Sequence, residues 1–206
     1  FWTPMLLLVV LAAVSVLAYF MTVDPAWFAE HQAAQMLLQN PEMTSAELAQ
    51  IQAMMPGARV MGWFAAAGAL LMFAVVFLVY AVYYLLAGKI TGNPVGFRHG
   101  LALVSWASMP MLLGSLVVIG AVLTSSPQTA LESLQLTNID PLLVQLPVDH
   151  DWSMFAKSFS LLNFWVWFLS ALGWKTWFRT GWGQALFVAL LPYLVIYGVW
   201  ASFIAF

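Results

Sequence analysis

Five apolar runs dominate this chain of 206 residues, at about 4–23, 57–87, 98–124, 152–174 and 182–206. Each is long enough to cross the hydrocarbon of a bilayer, about 30 Å thick, which takes about 20 helical residues. Lipid offers the backbone no hydrogen-bond partner, so a lipid-embedded run of this kind must be helical. The scarcity of charge agrees. Only 7% of residues are charged and 64% are hydrophobic, whereas a soluble domain is about 25% charged. Such a chain cannot cover a water-facing surface. It reads as all-α and polytopic, with five transmembrane helices in one domain spanning 1–206. The run at 4–21 is too long for a signal-peptide core and lacks a clean small-x-small cleavage site, so it reads as a permanent span. The chain opens on Phe1, and further residues ahead of it are expected.

The few charges are segregated. All eight acids fall in two loops: Asp24, Glu30, Glu42 and Glu47 after the first run, then Glu132, Asp140, Asp149 and Asp151 after the third. Lys89 and Arg98, then Lys175 and Arg179, occupy the alternate loops. Short loops rich in Lys and Arg belong to the cytoplasm. The expected topology is therefore N-terminus inside, acidic loops at 24–56 and 125–151 outside, and C-terminus outside. Tyr80, Tyr83, Tyr84, Trp174, Trp177 and Trp182 would form an aromatic belt on the inner side. With six scattered Lys and Arg, no basic face suited to nucleic acid is expected.

The first acidic loop carries helix signals. Asp24 before Pro25 is a cap followed by proline at the first helical position. Thr44 with Glu47 three residues later fits a capping box. Leu48, Ile51 and Met55 then share a helical face. Residues 25–55 read as an amphipathic helical hairpin on the outer side, whose methionines (Met36, Met43, Met54, Met55) offer an adaptable surface. The second loop, "LESLQLTNIDPLLVQLPVDHD" (131–151), reads as irregular and partly packed on the spans.

Two spans are interrupted by proline, Pro110 in the third and Pro192 in the fifth. Each removes one helical hydrogen bond and frees a carbonyl that a neighbour or water must satisfy. Ser105 and Ser108 precede Pro110 in the third span, and Lys157, Ser160 and Asn163 form nearly one stripe in the fourth. Small residues in "GWFAAAGA" (62–69) permit close helix approach. The polar residues serve either as packing glue or as the lining of an outward-facing cleft between spans three, four and five. A lone ammonium in hydrocarbon is costly and must snorkel, meet water or pair. Lys157 is therefore expected to face the bundle with a carboxylate of the second acidic loop, Asp140, Asp149 or Asp151, closing over it.

Catalytic chemistry finds little support. There is no His-Glu-x-x-His, no Gly-x-Ser-x-Gly, no P-loop and no cysteine. The "DHD" at 149–151 places three adjacent side chains that cannot converge on one ion from a helix, and His31 has no partner at ligand spacing. No catalytic residue, metal or cofactor is expected.

Three stretches resemble a known family. "GFRHGLALVSWASMP" (96–110) is similar to the entrance of the third span in the Yip family, the Ypt/Rab-interacting membrane proteins, in its bacterial branch. "SLLNFWVWFLSALGW" (160–174) resembles that family's Trp-bearing fourth span, and "GWGQALFVALLPYLV" (181–195) its last. The resemblance covers most of 57–206, and the long outer loops depart from the compact eukaryotic pattern. It implies an integral membrane interaction or membrane-organising protein, non-enzymatic, whose partners are membrane lipids, other membrane proteins or a second copy. In eukaryotic members GTPase binding belongs to an N-terminal cytosolic region to which no residue here corresponds, so no GTPase site is carried over. The alternative is a lipid or small-solute transport protein using the polar cleft. Short inner loops point to a bacterial inner membrane.

The topology is directly testable, because the chain has no cysteine of its own. Cysteines placed singly at Gln50 and Thr129 should react with an impermeant thiol reagent on intact cells, and one at Thr91 should not. Labelling of Thr91→Cys alone would mean an inverted protein.

Overall fold

The computed structural model describes residues 1–93, 95–147 and 150–205. They are almost entirely helical. In chain order the helices are α1 (Trp2–Thr22), α2 (Pro25–Gln39), α3 (Ser45–Met54), α4 (Ala58–Thr91), α5 (Phe97–Ala107), α6 (Met111–Thr124), α7 (Ile139–Leu142), α8 (Ser153–Ser158), α9 (Leu162–Phe178) and α10 (Trp182–Ala205). Three of them, α1, α4 and α10, are long and apolar enough to cross a membrane. A fourth crossing results if α5 and α6, bent by 41° at their junction, are one broken span.

The fourth expected run, 152–174, is divided. Its first part is α8, and Phe159 at the break has extended backbone (φ −98°, ψ 107°). Its second part, α9, has 17 residues and reaches only about 25 Å at 1.5 Å per residue.

The local signals in the first acidic loop appear as their chemistry dictates. The Asp24 carboxylate accepts from the N–H groups of Ala26 and Trp27, both at 2.9 Å, and starts α2. Thr44 and Glu47 form the reciprocal capping box of α3. Donation from the Thr44 N–H and hydroxyl holds the Glu47 carboxyl below its ordinary range. The apolar face of α3 is not packed: it contains no buried residue, and Ile51 and Met54 are exposed. α2 is anchored by Phe28, which is buried edge-on against Phe20 with ring centroids 5.5 Å apart.

α1 lies against α4, α5 and α6; α4 packs on α5; α9 touches α5, α6 and α10. Close approach depends on glycine at two crossings. A Cβ at Gly100 would sit 2.7 Å from the Ala81 carbonyl oxygen, and one at Gly62 would sit 2.5 Å from the Phe20 Cβ. The second lies in the small-residue stretch of 62–69. Two core clusters result. One gathers Leu8, Phe77, Ala81, Tyr84, Leu101, Trp174 and Val188 at the end bearing Lys89, Arg98, Lys175 and Arg179, here the basic end. The other gathers Tyr19, Phe20, Phe28, Ala58, Val122 and Leu134 at the acidic end. There the Asp24 N–H donates to the Pro127 carbonyl at 2.9 Å, and the Tyr19 hydroxyl to the Thr129 carbonyl at 3.2 Å, joining the two acidic loops.

The two prolines are accommodated differently. Pro110 lies in a turn between α5 and α6. The carbonyl it would have bonded, on Trp106, instead accepts from the Met109 N–H at 3.2 Å, and the helix bends. Pro192 lies inside α10, which continues past it. The carbonyl it frees, four residues back on Val188, accepts the Tyr83 hydroxyl from α4 at 2.6 Å.

Tyr83 should thus matter only while residue 192 lacks an N–H. Tyr83→Phe is expected to cost about 0.6–2 kcal/mol of stability. In a Pro192→Ala background, where residue 192 can donate to Val188, the same substitution should cost much less. Unfolding the four variants in mixed micelles measures this. Equal cost in both backgrounds would show that the Tyr83 hydroxyl does not replace the missing helical bond.

Candidate functional site

The residues expected to line a cleft are distributed along the molecule. Ser105 is fully buried in α5, and its hydroxyl donates back to the Leu101 carbonyl at 2.6 Å. Ser108 caps the end of α5 and Pro110 forms the turn that follows. Lys157, in the last turn of α8, is half-buried. Ser160 and Asn163 lie where α9 begins. None of these six lines either of the two grooves found at the ends of the bundle.

Ser160 belongs instead to a junction that binds the second acidic loop to the helices. Asn138 and Ser160 form an isolated antiparallel bridge. The Ile139 N–H donates to the Phe159 carbonyl at 2.9 Å, and the Leu161 N–H to the Thr137 carbonyl at 2.8 Å. The Asn138 amide donates to Gln135 Oε1 at 2.7 Å and to the Lys157 carbonyl at 2.6 Å. The Ser160 hydroxyl lies 3.2 Å from both oxygens of Thr137. Thus the loop does close over this end of the helices, but it is the Lys157 carbonyl that it holds.

The loop carboxylates are directed elsewhere. Asp140 is buried, and its Oδ1 accepts from the Leu146 N–H at 2.7 Å. Asp151 is exposed, and Asp149 lies outside the described residues. His150 accepts from the Trp152 N–H at 3.2 Å through Nδ1, a local turn contact. His31 stacks on Trp27, four residues earlier, with centroids 4.8 Å apart. Among the described residues no group of three or more His, Asp or Glu side chains could hold a metal.

The groove at the acidic end is small, about 30 Å³, and Tyr19, Ser125 and Pro127 contribute to its walls. The groove at the basic end is much larger, about 520 Å³, and is lined by Asn93, His99, Trp177, Phe178 and Arg179. Sequence reading placed Arg179 on the inner side without foreseeing that it shares a cavity with His99. Their elements explain how they meet. α4 ends at Gly92, whose φ of 73° turns the chain, and the Asn93 amide then donates to the Thr91 hydroxyl at 2.8 Å. α5 follows and carries His99, whose ring meets the edge of Trp177 at 6.4 Å. α9 stops at Arg179, which is left-handed at φ 51° and ψ 37°. That conformation favours glycine and costs a side-chain-bearing residue about 1–3 kcal/mol. Beside the groove, the Lys175 ammonium lies 5.2 Å from the centre of the Trp182 ring.

Fold and site together define a helical, multi-pass membrane protein. The chain matches the Yip1 domain over residues 1–203 and belongs to that family. The match includes the first helix and the first acidic loop, which lay outside the resemblance noted at 57–206. No curated protein and no solved structure matches the chain.

The junction geometry assigns the tether to Asn138. Asn138→Ala should increase proteolysis within 125–151 several-fold while the helices still insert, and Lys157→Met, which keeps the carbonyl, should not. Limited proteolysis of the purified protein measures both. The reverse ranking would return the tether to the Lys157 ammonium.

Proposed function

We propose that this Yip1-family protein is a non-enzymatic interaction or membrane-organising component. It acts by presenting its apolar flanks and its two polar ends to other membrane constituents. The observation that carries this reading is the closely packed core toward the basic end of the bundle, where Ala81, Ala171, Trp174, Ala185 and Ala189 are each 0% exposed. Small alanine side chains let helices pack closely. A transporter needs a polar path or an alternating cavity, and the two grooves lie at opposite ends of the bundle, with this packed core beside the basic one. The flank of α4, by contrast, exposes Trp63, Phe64, Leu71, Met72 and Val79. Such residues suit either lipid or an apolar partner helix.

In this reading the protein crosses the membrane five times. α5 with α6 forms the third span, and α9 forms a short fourth. The acidic loops, including the α2–α3 hairpin, face outward, and the basic end faces the cytoplasm of a bacterial inner membrane. The charge segregation supports that orientation.

Two measurements separate organisation from transport. Vesicles containing the purified protein should release solutes and exchange labelled lipids between leaflets no faster than protein-free vesicles. A single cysteine at Leu71 or Met72 should crosslink in native membranes to a discrete species. Flux that rises with protein copy number would replace this reading with the transport alternative.

A further inference from the structure

We propose that the groove at the basic end is a binding site for the phosphate headgroup of an anionic phospholipid. It is an open groove of about 520 Å³ at the bundle end. Its lining combines a guanidinium, an imidazole and a carboxamide with the faces of Trp177 and Phe178. Arginine presents a planar fork of donors that matches phosphate oxygens, and aromatic rings favour the headgroup level of a bilayer. The acidic side chains among the described residues belong to the loops at the opposite end, so none of these competes for the guanidinium. Lys89, Arg98 and Lys175 add positive potential around the groove without lining it.

The conformation of Arg179 is a separate indication. The helix end it occupies favours glycine, and glycine does occur two residues later at Gly181. An arginine at this position places a cation in the groove at a conformational cost. Two further features fit an anion. α5 begins at Gly96 with no side-chain cap and no acid in its first turn, so its positive end is uncompensated beside His99. The groove is also at an end of the apolar helices, where the headgroups of one leaflet lie.

The inference rests on this groove alone and does not depend on the organising role. Its test uses Arg179→Gly, which removes the guanidinium while suiting the left-handed backbone, so the variant should melt at or above the wild-type temperature. Native mass spectrometry of the full chain in detergent, with phosphatidylglycerol, phosphatidylcholine or inorganic phosphate added, is the readout. Wild type should retain phosphatidylglycerol in preference to phosphatidylcholine. Arg179→Gly should lower that retention about fivefold, and His99→Gln should lower it in the same direction. Lys89→Gln, outside the groove, should lower it clearly less than Arg179→Gly. Equal retention of the two lipids, or equal loss in Arg179→Gly and Lys89→Gln, would overturn the site in favour of diffuse surface charge. Displacement of phosphatidylglycerol by millimolar inorganic phosphate would overturn the lipid assignment and make free phosphate the ligand.

Discussion

In hydrocarbon a backbone carbonyl without a donor has nowhere to turn, and this bundle is arranged around that constraint. Pro192 leaves the Val188 carbonyl open in the middle of α10, and the Tyr83 hydroxyl reaches across from α4 to close it at 2.6 Å. The bond does two things together. It lets α10 run unbroken past a proline, and it fixes α10 laterally against a helix distant in sequence. Tyr80 reinforces the same seam, its ring 5.6 Å from that of Tyr193. Pro110 meets the same constraint with a local solution. Met109 takes the Trp106 carbonyl in a tight turn, so α5 and α6 part by 41°. A neighbour's hydroxyl preserves a straight span, whereas a turn of the chain's own backbone bends it.

Much of the helical architecture was legible because its causes are local. The Asp24 cap and the Thr44–Glu47 box involve residues two or three positions apart, and both form as read. The bend at Pro110 likewise follows from one missing N–H. The break at 159–161 was not legible, because no proline or glycine marks it. Its cause is Asn138 and its neighbours, which pair with the chain at Ser160 from about twenty residues away. Within the apolar run the one local competitor with the helix at the break is the Ser160 hydroxyl, which accepts from the Leu162 N–H at 3.3 Å. Of the residues expected to line a cleft, Ser105 satisfies its hydroxyl within its own turn and Ser160 is engaged by the loop.

The groove at the basic end shows the complementary limit. The positive charges of its neighbourhood could be read from loop composition, and they set the expected orientation. That His99 and Arg179, eighty positions apart, face one cavity follows from how α5 and α9 pack and how α9 ends. The signal available in advance was weak: an arginine, rather than a glycine, just beyond the last helical residue. Membership of the Yip1 family adds fold-level context, while the chemistry of the groove is an argument from these side chains.

The length of α4 sets a relation between the protein and the bilayer it occupies. From Arg59 to Lys89 it has no charged residue, and at 1.5 Å per residue that stretch measures about 45 Å, against about 30 Å of hydrocarbon. The excess must be absorbed by tilt, by local thickening of the lipid or by covering the acidic-end turns with protein, and Ala58 is buried there against Phe20 and Phe28. In the five-span reading proposed above, α9, at 17 residues, has the opposite mismatch, so one bundle combines a span too long for the membrane with one too short for it. Lipid of uneven thickness around its circumference suits it better than a flat, uniform leaflet, which makes acyl-chain length a variable in where the protein settles.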